Sequence, residues 1–594
     1  MCLPKEARLA YSHSSQVNKS RARGLFITLH GSGVDVLIGL GSTFAALALY
    51  LRTLAPGLLP GDAGEFQFTA PTLGLPHPTG YPLYTILGWV WSHLIPYRDY
   101  AWRMNAFSAL WGAAAVGFLY VAATRSLGAA LLSSEERAAA PLRLAAILTA
   151  FAFAASPTFW SQAVLAEVYT LHATFVALIL LLTLRCGERK TASLLPLAAA
   201  VGLSLAHHRT TILLLPGVVI YLLGTRVAWP ASPRGWVTLI LALALPLLLY
   251  LYVPWSGARA GYLHIPLAPG QTLHVYETSL RGFLTWITGS TFAGELRTPA
   301  EAWAQLPAAW LLLRQQFGSL GMALAALGLA RLALGRRWSL LALTGLTFLM
   351  QTAFNLFYGI GDVFVLYIPA YLVVALWLGL GAAALAAMAM QIRFLPMPVR
   401  RFVPSFLVML LLVAFLPSTL QTRKMVDRSR APDAHIAWRV IFSLGVPDNA
   451  ILLSNDRDEM TPLIYLQQVE GQRRDVTGLF PLISPGPAWS DIGAVADSAL
   501  ATGRPVYLIK PMPGLEVKFR LEPRGGVVQV MGPAVTKPPP HPTDFSFAGL
   551  VRLIGYDVRA SPLRPGGALP IDLYWQPMAE ISDNYHTFIH LFNE

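Results

Sequence analysis

Cysteine is nearly absent from this 594-residue chain, which holds only Cys2 and Cys186. One lies near the N-terminus and the other in a short basic stretch, so they build neither a disulfide framework nor a metal knuckle. Charge is scarce as well. Only 13% of residues are charged and 55% are hydrophobic, where a soluble domain carries about 25% charged residues. The net charge is +13, but the basic residues form no stripe interleaved with aromatics, which excludes nucleic acid as a partner. No small-residue cleavage site follows the first apolar run, Val34–Leu54, which therefore reads as a retained helix rather than a signal peptide.

What is present is a series of long apolar runs from about Val34 to Leu420, broken by short polar stretches. About eleven runs approach the ~20 residues a bilayer-spanning helix needs. Their limits are 34–55, 105–131, 143–160, 168–185, 192–206, 210–225, 236–254, 317–334, 338–356, 364–390 and 402–420. The shorter run 81–95 suits a re-entrant or interfacial helix. The expected fold is thus an α-helical integral membrane protein. A tail over 1–33 precedes a membrane domain over 34–420, which has large loops at 56–104 and 255–316.

After Gln421 the composition becomes that of a soluble domain. Residues 421–536 read as an α/β unit, with strand-like runs at Ala450–Ser454, Asp475–Phe480 and Pro505–Ile509. Helix-like runs lie between them at Asp458–Val469 and Trp489–Thr502. No glycine-rich phosphate loop opens these helices, so a nucleotide site lacks support. A stiff linker, Lys537–Pro542, leads to residues 543–594, where Ala568–Trp575 and His586–Phe592 alternate like strands of a β-sandwich that is incomplete at the end of the chain.

Alternate loops carry the basic residues, from Lys5, Arg8, Lys19, Arg21 and Arg23 in the tail to Arg125, Arg137, Arg143, Lys190, Arg336 and Arg393. By the positive-inside rule these loops and the N-terminus are cytoplasmic, and the C-terminal domains lie outside. The acids Asp62, Glu65, Glu167 and Asp362 fall on the opposite, outer side, which places binding or chemistry there.

The first outer loop reads Gly61-Asp62-Ala63-Gly64-Glu65-Phe66, then Pro76-His77-Pro78-Thr79-Gly80-Tyr81-Pro82-Leu83-Tyr84, then Trp102-Arg103-Met104-Asn105. Two carboxylates three residues apart share a helix face. The same spacing is that of a capping box, in which Asp62 caps a helix and Glu65 reaches back to it. Both readings stand on spacing alone. Glycosyl transfer to a hydroxyl needs a base, positive charge at the departing phosphate and alignment of the donor. A carboxylate here suits the first role, and Arg103, His207, His208 and Arg209 suit the second. Glu167 and Tyr169 open one span, and Asp362 and Tyr367 another; each acid is also suited to capping a helix. Adjacent side chains diverge, so His207 and His208 make a poor shared metal site.

These motifs, with Glu167-Val168-Tyr169, His207-His208 and Asp362 with Tyr367-Ile368-Pro369 in the same order, resemble the transmembrane protein O-mannosyltransferases of the GT-C glycosyltransferase superfamily. The resemblance covers roughly residues 35–470. It implies a polyprenyl- or dolichyl-phosphate sugar donor, inverting transfer, and catalytic acids in the first outer loop. Asp62 is then the catalytic carboxylate with Glu65 as its partner. His77, Tyr81, Tyr84, Arg103, Asn105, Glu167, Tyr169, His207, His208, Arg209, Asp362 and Tyr367 are expected to bind substrate. GT-C enzymes differ in their need for a divalent metal, and no ligand set in the sequence decides it. The β-sandwich-like end departs from the eukaryotic members and points to a relative in a prokaryotic cell membrane. The expected activity moves a sugar, mannose first, from a polyprenyl-phosphate carrier to an acceptor protein or glycan hydroxyl. A lipid-linked sugar flippase is the alternative; transporters place ionisable groups near the midplane, whereas here they gather at one face.

Overall fold

The computed structural model describes residues 33–130, 139–189, 192–391, 396–482, 487–559, 569–579 and 586–590. The tail over 1–32 with its five basic residues lies outside the described residues, as do Arg137, Lys190 and Arg393.

Every expected span falls on a helix, but fewer of them are full length. Eight helices are long and apolar enough to cross a bilayer, and nine if a bent pair is one span. The chain is an integral membrane protein. The runs expected at 192–206 and 210–225 form only short helices, Leu195–Leu205 and Arg209–Gly224. Pro196 and Pro216 stand near the starts of their α-helical parts, and Arg209–Leu214 winds as a 3-10 helix. Those breaks replace two full crossings with two short helices meeting at His207 and His208. The run at 81–95 becomes the 13-residue helix Pro82–Leu94, roughly 20 Å long and too short to cross.

The bent pair has a local cause. Helix Ala140–Ala154 turns by 68° into Pro157–Ala163. Proline disfavours helical backbone in the residue before it, and Ser156 accordingly sits at φ −66°, ψ 135°. The interior of the bundle is built on small residues. Helix Ile368–Met390 is buried along nearly its whole length. A Cβ on Gly328 would strike the carbonyl of Trp377, and one on Gly381 the carbonyl of Leu324, so glycine lets these two helices approach backbone to backbone.

Two compact units divide the chain between Arg504 and Pro505. The first contains the membrane helices and the β1–β2 hairpin (His264–Ala268 and Gln271–His274). It also holds the parallel strands β3 (Ile451–Leu453) and β4 (Thr477–Leu479) and helices Arg457–Gln468 and Ile492–Leu500. The second unit holds β5 (Val506–Leu508), β6 (Phe519–Arg524) and β7 (Val527–Pro533), paired antiparallel. It also holds β8 (His541–Phe547), β9 (Val551–Val558) and β10 (Ile571–Pro577), an antiparallel sheet in the order β10-β9-β8. Residues 586–590, expected as strand, have no regular structure; 591 and 592 lie outside the described residues.

Candidate active site

The helix Gly61–Thr72 presents Asp62 from its first turn, where the helix dipole favours negative charge, and Glu65 from the start of the next. The capping-box reading is not realised. The N-cap is Pro60, with no side-chain cap bond. Asp62 is the second helical residue, and the Glu65 side chain turns outward to other partners.

Those partners are His77 and Arg457. The His77 backbone N–H donates to Glu65 Oε1 at 3.2 Å, and its ring Nδ1 meets Glu65 Oε2. Asp62 Oδ1 lies 3.7 Å from the same Nδ1. Arg457 donates through Nη1 to Glu65 Oε1 at 3.3 Å and through Nη2 to Asp62 Oδ1. Burial drives the Glu65 carboxyl up, but Arg457 and His77 outweigh it and hold it down at about 2. Burial drives His77 the other way, and Asp62 and Glu65 together raise it above the ordinary histidine range. The centre is a four-membered ionic cluster in which two cations balance two carboxylates.

Arg457 opens the helix Arg457–Gln468, capped by Asp456. The two helix N-termini converge. Gly61 faces Asp458, and Gly64 leaves room for the carbonyl of Leu59 and for Thr461 Oγ1, which a Cβ would meet at 2.7 Å. Sequence reasoning missed Arg457 because it lies almost 400 residues away and sits in an acidic run. One signal was available: a cation at a helix N-terminus opposes the dipole and calls for a compensating anion.

Asn105 and Gln67, both fully buried, fix the loop that leads into Asp62. Asn105 Nδ2 donates to Ala55 O at 3.1 Å, and its Oδ1 accepts from Gln67 Nε2 and from Ala166 N–H, both at 2.9 Å. Gln67 Oε1 accepts from Leu59 N–H at 2.9 Å. Gln67 Nε2 also donates to Gly57 O at 3.1 Å.

A second group adjoins the cluster. Tyr81 packs its ring on Phe66, His77, His207 and His208, and Tyr84 stacks on His207. Glu167 is held through reciprocal bonds between its backbone and Ser108. Burial, then Asp62 and Asp362, push the Glu167 carboxyl well above the usual carboxylate range. Asp362 is also raised, by burial and Asp62, and accepts a bond from Tyr169. Neither acid makes a side-chain helix cap: Glu167 precedes the N-cap Val168, and Asp362 is an N-cap position without a cap bond.

Two expectations change here. His207 and His208 are not cations facing a phosphate. His207 Nε2 faces the Val168 carbonyl at 3.0 Å, so that nitrogen carries the proton. Burial holds this histidine down at about 4. Burial and the neighbouring His172 and His207 hold His208 low as well. Arg103 is not a free cation either. Its guanidinium donates to the carbonyls of Ser92, Tyr97 and Arg98 and lies over the Tyr100 ring, and no contact among the described residues links it to Asp62 or Glu65. Tyr367 stacks on Tyr371. Arg209 bonds the Thr288 carbonyl and acts on Tyr81 electrostatically.

Asp62, Glu65 and His77 offer three donor atoms within 4.8 Å of one another, the count a divalent cation would use. Arg457 and the His77 ring already occupy these oxygens, so an ion here has to displace them.

Glu65, His77 and Arg457 open onto a cavity of about 560 Å³. Its other walls come from the β1–β2 hairpin, the helix Arg457–Gln468 and strand β4.

Residues 62–229 match the family model described as the Protein O-mannosyl-transferase TMEM260 N-terminal domain. The mouse protein O-mannosyl-transferase TMEM260 is 30% identical over 282 residues, 43% of this chain and 36% of the relative. The Dictyostelium discoideum protein O-mannosyl-transferase tmem260 is 32% identical over 136 residues, 23% of this chain and 15% of the relative. The alignments thus cover about a third of the mouse protein and less of the other. Among solved structures, ArnT from Cupriavidus metallidurans bound to undecaprenyl phosphate superposes with a TM-score of 0.48 at 16% identity, covering 84% of this chain and 98% of ArnT. The apo Archaeoglobus fulgidus oligosaccharyltransferase gives 0.44 at 12% identity, covering 79% and 69%. Over residues 62–229, the segment that carries both carboxylates and both histidine motifs, this chain is similar to the TMEM260-type protein O-mannosyltransferases.

Proposed function

We propose that the chain is an inverting GT-C-type glycosyltransferase. It moves mannose from a polyprenyl-phosphate carrier to a Ser or Thr hydroxyl of a protein on the extracytoplasmic face of a prokaryotic membrane. That both relatives are protein O-mannosyl-transferases supports the sugar and the protein acceptor. The observation that carries the reading is the division of labour between the two carboxylates. Glu65 is held by both His77 and Arg457 and is 10% exposed, whereas Asp62 is 35% exposed and bonds one guanidinium nitrogen. Glu65 anchors the cluster, and Asp62 is the carboxylate able to meet an acceptor.

In the reaction the acceptor oxygen attacks the anomeric carbon from the face opposite the phosphate. The bond from that carbon to the phosphate oxygen breaks, its electron pair leaves with the phosphate, and the hydroxyl proton passes to Asp62. Arg209 supplies positive charge for the departing phosphate and Arg457 holds Asp62 on the acceptor side, while Tyr81, Tyr84, Tyr169, Glu167, Asp362 and the neutral His207 and His208 surround the sugar. A positioned general base contributes about 10²- to 10⁴-fold. Asp62→Asn therefore lowers kcat on a polyprenyl-phosphate mannose by that order, while the variant still inserts and unfolds at the wild-type temperature. Full activity in the variant overturns the assignment. The assay runs in detergent, where no compartments exist, so any transfer also separates the enzyme from a flippase.

A further inference from the structure

We infer that the cavity beside Glu65 binds the acceptor as an extended polypeptide, which adds as a strand to the free edge of β4. This rests on the glycosyltransferase reading and specifies how its substrate is held.

The argument begins with hydrogen-bond parity. Strand β4 pairs in parallel with β3 in the register Ile451–Thr477, Leu452–Gly478 and Leu453–Leu479. Thr477 N–H donates to Ala450 O, and Ser454 N–H donates to Leu479 O. In a parallel ladder the residues of one strand that bond a given neighbour alternate. Thr477 and Leu479 turn their backbone groups to β3, so Gly478, and Phe480 beyond it, turn theirs away. Among the described residues nothing pairs with the N–H or C=O of Gly478 or Phe480. The edge is closed one step earlier, because Val476 donates to Arg473 O and its carbonyl accepts from Gln467 Nε2. The open stretch is therefore Gly478 to Phe480, and both residues line the same cavity as Glu65, His77 and Arg457.

An exposed strand edge offers a two-residue repeat of donors and acceptors, which an extended main chain satisfies and a lipid tail does not. The cavity volume of about 560 Å³ lies within the roughly 300–1,000 Å³ of small-ligand sites. Ile265 of β1 and Val275, just after β2, line the same cavity and supply apolar surface for side chains of the bound chain. A peptide seated there delivers one hydroxyl to the carboxylate cluster while its backbone is read without regard to sequence.

The test uses the full chain in detergent with a polyprenyl-phosphate mannose. The acceptors are a seven-residue peptide with one central serine, the same peptide N-methylated at each backbone position in turn, and N-acetylserinamide. N-methylation removes one main-chain donor. We expect KM to rise about tenfold at alternate positions only, with kcat little changed. A flat N-methylation profile, or peptides no better than N-acetylserinamide while that compound is still mannosylated, overturns the strand-addition proposal alone. Transfer to none of the hydroxyls, with no release of phosphate from the donor, overturns the glycosyltransferase reading with it.

Discussion

Arg457 shows how a single side chain can set the state of a site. Two carboxylates and one histidine ring converge on it or beside it. Arg457→Lys keeps the charge but loses the planar fork that meets two carboxylates at once, and kcat should fall at least tenfold. Arg457→Ala removes the main influence that holds Glu65 near pH 2. The sign follows directly. A depressed carboxyl contributes stability above its unfolded value of about 4.3 and loses it as pH falls through the folded value. Wild-type stability therefore persists to low pH, and in Arg457→Ala its acid limb moves upward. An unmoved limb means that Arg457 does not govern Glu65. The same charge balance predicts that EDTA leaves more than half of the activity. A tenfold loss restored by Mn²⁺ or Mg²⁺ means that a cation takes the place of Arg457 during turnover. The sequence made Asp62 and Glu65 visible because their pattern is local. It concealed Arg457 because ion pairs between positions 62 and 457 leave no periodic trace. It also presented His207 and His208 as cations, since burial, which keeps them neutral, is a property of packing.

At the scale of elements, the helix Gly61–Thr72 starts where it does because its entry loop is tied to side chains rather than to a cap. Gln67 and Asn105 satisfy the backbone of residues 55–59 from within the core. Gln67→Leu strands Leu59 N–H, at roughly 1–3 kcal/mol for a buried group left unpaired, and leaves Gly57 O with only the 3.3 Å bond from Asn105 Nδ2. The thermal midpoint in detergent should fall by several degrees. Because Asp62 shifts with the loop, kcat should drop more than KM rises. A variant with a lowered midpoint and unchanged kcat refutes the positioning role. The apolar runs were legible as helices throughout, since hydrophobic length is a strong signal. Their completeness was not, because Pro157, Pro196 and Pro216 break runs that composition alone shows as continuous.

On the scale of the first compact unit, the soluble segment is fastened to the membrane domain beside the site. Arg428 N–H donates to Thr53 O and Ala434 N–H to Leu58 O, both at 2.9 Å. Next to them His435 bridges Asp433 at 2.7 Å and Glu470 at 2.8 Å. The bond to Asp433 first, then that to Glu470, raises His435 to about 9. A raised histidine contributes stability in full below its unfolded value of about 6.5 and loses it as pH climbs through the folded value. The thermal midpoint should fall between about pH 6.5 and pH 9, and His435→Gln should flatten that slope. An equal slope in both proteins removes His435 from the fastening. The general layout, membrane helices followed by an α/β segment, could be read from composition. That the segment folds back onto the first loop could not, because nothing in a hydropathy profile encodes docking.

This docking has a consequence for synthesis. A ribosome releases Asp62 and Glu65 hundreds of residues before it releases Arg457. Until then the two carboxylates have His77 but not the guanidinium, and the centre is unfinished even with every membrane helix inserted. On the proposed function, a product truncated before the Arg457 helix is expected to transfer no sugar, which a truncation series assayed with the donor checks.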